Sequence, residues 1–233
     1  DDINYQDVYN AQQNFINDGQ IDWYRLYDAN ATAGEAVYTL FEDRVDDKQF
    51  SANTLLNTEL TENITLNAGL NYRRLKSENY AKMLDLLGAN GFLDVDTFSD
   101  IGTDASFSDL MNPNRIINEG DRFRYNYNLF AEEMGAFAQA QFSFNKVDFY
   151  LGGKVTNTNY QREGLYDNGS FPTFYTNGSG QYTDASGNIL APGQAPVVLP
   201  GVADNSISYS FGDSEKVDFL GYGAKAGLTY KIT

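Results

Sequence analysis

The feature that most constrains this chain is a period-two alternation of apolar and polar residues, repeated in five segments. In the first, Phe50, Ala52, Thr54, Leu56, Thr58 and Leu60 alternate with Ser51, Asn53, Leu55, Asn57 and Glu59. After the tight turn Thr61-Glu62-Asn63, Ile64, Leu66, Ala68, Leu70 and Tyr72 alternate with Thr65, Asn67, Gly69, Asn71 and Arg73. Successive side chains of a strand point to opposite faces, so alternation this strict predicts a hairpin and does not fit a helix.

A second hairpin turns at Asn145-Lys146. Ala136, Ala138, Ala140, Phe142 and Phe144 precede it on one face; Val147, Phe149, Leu151, Gly153 and Val155 follow on the same alternation. A fifth strand sets Leu220, Tyr222, Ala224, Ala226, Leu228, Tyr230 and Ile232 against Gly221, Gly223, Lys225, Gly227, Thr229 and Lys231. The apolar stripes carry no charge. The opposite stripes carry Glu59, Arg73, Asp148, Lys154, Lys225 and Lys231.

A membrane-spanning barrel requires that division, because Arg or Lys on its lipid face at mid-membrane costs about 2–4 kcal/mol. A one-sided soluble sheet shows the same alternation. The connections separate the two. Turns at one end are two or three residues long, while those at the other run from about Lys76 to Met134 and from about Tyr160 to Lys216. Compact soluble domains seldom carry structureless loops beyond about 12–15 residues, whereas outer-membrane barrels pair short periplasmic turns with long extracellular loops.

The expected fold is therefore all-β: an antiparallel transmembrane β-barrel segment of about five long strands. Residues 1–47 read as an extracellular loop region, 48–76 as a hairpin, 77–133 as a loop, 134–159 as a hairpin, 160–216 as a loop and 217–233 as a strand. Arg122 to Phe130 also alternates and reads as a strand extension above the membrane, kinked or bulged near Glu132 to Gly135. Ser77 to Leu87 has helical spacing in Tyr80, Met83, Leu84 and Leu87, with Gly88 as its C′ residue. Tyr5 to Ala31 reads as helical or irregular, and residues 168–201, rich in Asn, Gly, Ser and Pro, as a meandering surface loop.

Composition narrows the function. The longest apolar stretches, such as Met83 to Leu87 and Pro196 to Pro200, fall far short of the roughly 20 residues of a spanning helix. Tyr and Phe number 17 and 16, which suits the aromatic girdles of a barrel and equally an aromatic-rich soluble β-domain. The formal charge of −16 opposes nucleic-acid binding. With neither Cys nor His, the chain alone cannot build a thiolate nucleophile, a Ser-His-Asp triad or a Cys/His zinc site. No enzyme activity and no cofactor are expected.

Five is an odd number of strands, and an open sheet would leave unpaired edges in hydrocarbon, where each orphan N–H or C=O costs several kcal/mol. The chain is therefore expected to be an internal piece of a larger barrel. Ala138-Gln139-Ala140-Gln141-Phe142, Tyr160-Gln161-Arg162-Glu163-Gly164-Leu165-Tyr166 and Gly221-Tyr222-Gly223-Ala224-Lys225-Ala226-Gly227-Leu228-Thr229-Tyr230-Lys231 resemble TonB-dependent outer-membrane receptors, of the type with a carboxypeptidase-regulatory-like N-terminal domain. Leu84-Asp85-Leu86-Leu87-Gly88-Ala89 and Asn112-Pro113-Asn114-Arg115-Ile116 are similar to surface loops of that group.

The resemblance implies a barrel of typically 22 strands, plugged by an N-terminal domain that these residues do not contain. It also implies energised nutrient uptake across a Gram-negative outer membrane, with outer-membrane lipid and lipopolysaccharide as surroundings. The implied partners are a TonB-type protein acting through the missing N-terminal region and surface lipoproteins or other subunits of an outer-membrane complex. A structural subunit of such a complex and a soluble β-sandwich binding module stand as alternatives.

The residues expected to face lipid include Ile64, Leu66, Leu70, Phe142, Phe149, Leu151, Ala224 and Leu228. Trp23, Tyr24 and Tyr27 are candidate ligand contacts, although such clusters more often pack a loop helix against a barrel rim. Asp94, Asp96 and Asp100 have the spacing of a calcium loop, but Phe98 stands where an oxygen ligand belongs and the turn glycine is missing, so a solvated acidic loop is the default. Glu132-Glu133 and Asp46-Asp47 are neighbours on a strand and point apart, which rules out convergence on one glycosidic bond. Strand glycines such as Gly152, Gly153, Gly221, Gly223 and Gly227 are expected to let the sheet bend or a plug approach.

Overall fold

A computed structural model describes residues 5–100, 102–170, 175–179, 181–183, 187–190 and 210–232. Among these residues two helices, α1 (Tyr5–Asp18) and α2 (Trp23–Ala33), precede ten strands: β1 (Leu40–Thr61), β2 (Ile64–Asp85), β3 (Phe92–Leu93), β4 (Ile116–Ile117), β5 (Arg122–Ser143), β6 (Val147–Gly164), β7 (Tyr175–Thr176), β8 (Tyr182–Thr183), β9 (Gly212–Asp213) and β10 (Val217–Tyr230). The chain is mostly β. Its long strands form an open antiparallel sheet in the order β1-β2-β5-β6-β10, with the two residues of β9 added to β6 as a sixth strand.

Both expected hairpins are present, turning at Glu62-Asn63 and at Asn145-Lys146. Directly paired residues of an antiparallel sheet project to the same side, so the register defines the two faces. Ile64 pairs with Phe142, Phe142 with Phe149, and Phe149 with Leu228; Leu66, Ala140, Leu151 and Ala226 form the next row. The apolar stripes of all five strands thus join into one face. Among the described residues no second sheet lies on it: Leu70 and Leu151, on central strands, are 59% and 55% exposed.

The strands are longer than the alternation alone indicated. β1 starts at Leu40 and β2 continues to Asp85, where a helix was expected over Ser77–Leu87. Tyr80, Met83 and Leu87 do repeat at helical intervals, but β1 supplies a pairing partner for nearly every residue of this stretch, including Arg44 for Tyr80 and Phe41 for Met83. Ladder hydrogen bonds and the burial of Ala81 and Met83 two residues apart outweigh the local spacing. Leu87 and Gly88 adopt positive φ values of 48° and 83° in the reversal that follows.

β5 likewise runs unbroken from Arg122. The kink expected at Glu132–Gly135 is absent, since those four residues pair in continuous register with both neighbours. The irregularity lies higher. Between Tyr80 and Ala81 the β2–β5 register jumps past Arg124 and Tyr125, and Arg124 has φ 60°. The opening segment is helical on both sides of Gly19, and α2 closes on Gly34 in the left-handed conformation. Most of the expected loop over 168–201, Pro196–Pro200 included, lies outside the described residues.

Four glycines of the polar face follow a local packing rule. Gly69 pairs directly with Phe137, and Gly227 with Tyr150; a Cβ on either glycine would collide with the opposite ring. Gly135 leaves room for the Asn71 side chain, and Gly221 for that of Thr156. Each lets a larger neighbour lie flat across the strand.

Candidate membrane-contact face and its cap

Six successive rows of the apolar face contain no charged residue. They run from Ala52, Tyr72, Met134, Asn157 and Leu220 at one end to Val147 and Tyr230, beside Phe144, at the turn end. Same-face rows are about 6.7 Å apart along a strand, so five steps measure about 33 Å, a length that would project to about 25 Å at the roughly 40° tilt usual in membrane barrels. Ile64, Leu66, Leu70, Phe142, Phe149, Leu151, Ala224 and Leu228 all lie within this band. Mid-band, the small side chains of Ala138, Ala140, Gly153, Ala224 and Ala226 leave an open depression of about 660 Å³.

Aromatic rings mark both margins. Phe142 stacks on Phe149 at 4.5 Å, with Phe144 at 6.3 Å from the same ring. At the far margin Phe50 and Tyr72 sit 6.2 Å apart.

Charge begins one row beyond. Arg74 and Glu132 pair at 3.5 Å, and above them Glu78 gathers three cations: Lys48 and Lys76, each at 3.1 Å, on one oxygen, and Arg122 at 3.1 Å on the other. Hydrogen bonds from Lys48, Arg122 and Lys76 hold the Glu78 carboxyl down at about 2. The Tyr80 hydroxyl donates to Asp46 at 2.6 Å, which lowers Asp46 below the usual carboxylate range and raises the phenol. Arg122 also lies over the Tyr80 ring at 3.7 Å. Opposite charges in adjoining rows therefore neutralise one another along the sheet.

The other face carries a cap at the same height. Ala81, Met83, Leu86, Ile117, Phe123 and Ala36 form the buried apolar cluster, with Phe92 and Tyr125 against it. Phe123 is 5.5 Å from Phe41 and 5.6 Å from Phe92, both edge-on. Tyr125 donates to Asp43 at 2.8 Å; burial first, then that bond, pushes its hydroxyl up to about 12.

Two polar residues tie the cap down. Asn30, fully buried on α2, donates to the Tyr38 and Leu86 carbonyls at 2.8 Å and to Leu87 at 3.3 Å, and accepts from the amides of Val37 and Tyr38. Arg115 reaches Asp94 at 2.8 Å and the Tyr166 hydroxyl at 3.0 Å, with its guanidinium 4.7 Å from the Tyr166 ring centre. Burial pulls Arg115 down, but the bonds to Asp94 and Tyr166 prevail and its proton is held more tightly than usual.

The candidate site residues separate here. Asp94 is buried and committed to Arg115, Ser108 and the Arg124 amide. Asp96 shapes its own turn, accepting from the Phe98 amide at 3.0 Å and Ser99 at 3.3 Å. Among the described residues no group of three His, Cys, Asp or Glu can hold a metal ion, so Asp94, Asp96 and Asp100 do not form a cage. Trp23, Tyr24 and Tyr27 all lie on α2: Tyr27 packs toward Gly88, whereas Tyr24 is 87% exposed.

Asn30, Arg115 and Phe123 carry the cap; the sequence places Arg115 in a loop resemblance and Phe123 in an alternating run, but gives none of the three a role in burial. A lone Asn late in a helix and a lone Arg in a loop have no spacing signal. Only the pairing of β5 with β2 up to Lys82 would have directed attention to Phe123. No family model matches the chain, and neither does any curated protein or solved structure.

Proposed function

We propose that this chain is a sector of the wall of an outer-membrane β-barrel of the TonB-dependent receptor kind, serving energised uptake of a nutrient. On this reading the uncharged face meets hydrocarbon, the Asn/Gln-rich face lines a wet interior, the short turns are periplasmic and the cap stands at the cell surface. The supporting observation is the uninterrupted band of uncharged rows on an exposed sheet face, bordered at once by Arg74 and Glu132. A height of about 25 Å matches the apolar belt of known outer-membrane barrels. Within the described sheet β1 and β10 each have one neighbour, and in a bilayer their free edges require further strands, from the same polypeptide or another.

The reading is tested by single-cysteine labelling in native membranes, helped by the lack of Cys in this chain. Cysteines at Leu66 and Leu151 should react with a lipid-dissolved probe and resist a charged maleimide. Cysteines at Asn67 and Gln139 should do the reverse. Equal reactivity of both sets toward the charged reagent sinks the proposal.

A further inference from the structure

Lys154 and Lys225 lie in adjacent rows of the polar face, each opposite a glycine: Lys154 pairs with Gly223, and Lys225 with Gly152. The exchange is reciprocal. The Lys154 stem passes over Gly223 and the Lys225 stem over Gly152, with each Cε 3.3 or 3.2 Å from where the glycine's Cβ would stand. Both lysines are exposed and neither has a carboxylate partner among the described residues. Arg73 and Lys231, farther along the polar face, do, pairing with Glu133 and Asp148.

In the rows of the two lysines and the rows on either side, β5, β6 and β10 contribute no acidic residue: their side chains there are Phe137, Gln139, Gln141, Tyr150 and Thr156, besides glycines. That is unusual in a chain with 32 acidic and 16 basic residues. Diagonal neighbours across an antiparallel pair stand about 7–8 Å apart, close enough for two cations to repel and for one anion to serve both. The two lysines border a hollow of about 400 Å³ with Phe137 and Gln139 on its wall and Gly152 and Gly223 as its floor. Lys225 also lies 5.9 Å from the Tyr150 ring centre.

The geometry points to a binding site for a small carboxylate-bearing solute, held by Lys154 and Lys225 with Gln139 as hydrogen-bond donor. The volume fits a small ligand, and a mixed aromatic and amide wall with few charges is the usual make-up of such sites. On the proposed function this places an anion-recognition point on the barrel's inner wall. The lysine pair does not depend on what covers the opposite face.

The test uses the full-length protein purified in detergent, titrated calorimetrically at low ionic strength with glutarate and with glutaramide, its neutral analogue. Glutarate should bind saturably and glutaramide should not. Lys154→Gln with Lys225→Gln should weaken glutarate binding at least tenfold, while Lys154→Arg with Lys225→Arg should retain it. Mapping of amine acylation should show glutarate slowing modification of Lys154 and Lys225 several-fold, with Lys146 in the turn unaffected. Slowing at Lys146 to the same degree, undiminished binding by the Gln variant, or no binding overturns the assignment.

Carbodiimide cross-linking distinguishes the remaining occupant, with the Lys231–Asp148 pair at 3.0 Å as internal reference. Joining of Lys154 or Lys225 to a polypeptide carboxylate would show that an acidic segment fills the hollow, which also overturns the assignment. Lipid-probe labelling at Leu66 reports on the barrel separately, so failure of one does not imply failure of the other.

Discussion

The carboxamide of Asn30 donates to the carbonyl of Leu86 at 2.8 Å, joining points 56 residues apart in the chain. A side-chain amide has two donors and one oxygen acceptor, and here both ends are used: the nitrogen caps carbonyls at the top of β2, and the oxygen receives the amides that lead into β1. A single buried side chain thus fixes α2 onto the sheet.

Asn30→Ala should therefore loosen the cap and leave the long strands of the sheet intact. Orphaning several buried backbone groups costs about 1–3 kcal/mol each before relaxation, so a local loss of roughly 2–4 kcal/mol is expected. Amide exchange at Val37 and Tyr38 should accelerate by at least tenfold. Asn30→Asp, which can accept but not donate, should fall between. Unchanged exchange at both amides would refute the role.

Charge on the uncharged band should block assembly. Leu66→Arg and Ala224→Arg should each reduce folded protein in the membrane sharply, with about 2–4 kcal/mol per buried cation at mid-depth. Asn67→Arg, on the opposite face, should be tolerated. Heat-modifiable gel mobility of the full protein distinguishes folded from unfolded. Equal tolerance at all three positions would contradict the lipid-facing assignment.

Acid should weaken the upper sheet through Glu78. Its carboxyl titrates at about 2 in the fold, against roughly 4.3 for an unstructured Glu. A carboxyl depressed by folding adds stability above its unfolded value and loses it as pH falls through the folded one. The window is thus about pH 4.3 down to 2. Protease sensitivity of the β1–β2 extension should rise across it. Glu78→Gln should be more sensitive at pH 7 and rise less over the same range, the remaining rise coming from Asp46, which the fold also holds low.

The polar-face glycines should differ from the one on the apolar face. Gly69→Val would collide with Phe137 and with Leu55, and should cost about 1–3 kcal/mol. At Gly153, on the apolar face, an added Cβ meets only the Gly223 carbonyl at 3.8 Å, so Gly153→Ala should change stability by under about 0.5 kcal/mol. Urea unfolding from detergent or lipid measures both. A smaller loss for the valine variant than for the alanine variant would refute the ring-over-glycine account.

Alternation by itself determined the five long strands, both tight turns and the membership of each face, because a strand's side chains take sides residue by residue without reference to any partner. It did not determine how far the strands rise. Tyr80, Met83 and Leu87 repeat at a helical interval, and only the partner residues Arg44 and Phe41 on β1 make that stretch a strand. The cap was hidden for the same reason: Asn30 meets Leu86 and Arg115 meets Asp94 across long chain separations, and burial of a polar group is a property of what folds over it, not of its neighbours in sequence. The isolation of Lys154 and Lys225 also needed three-dimensional register, since a missing carboxylate is visible only once the adjoining strands are aligned.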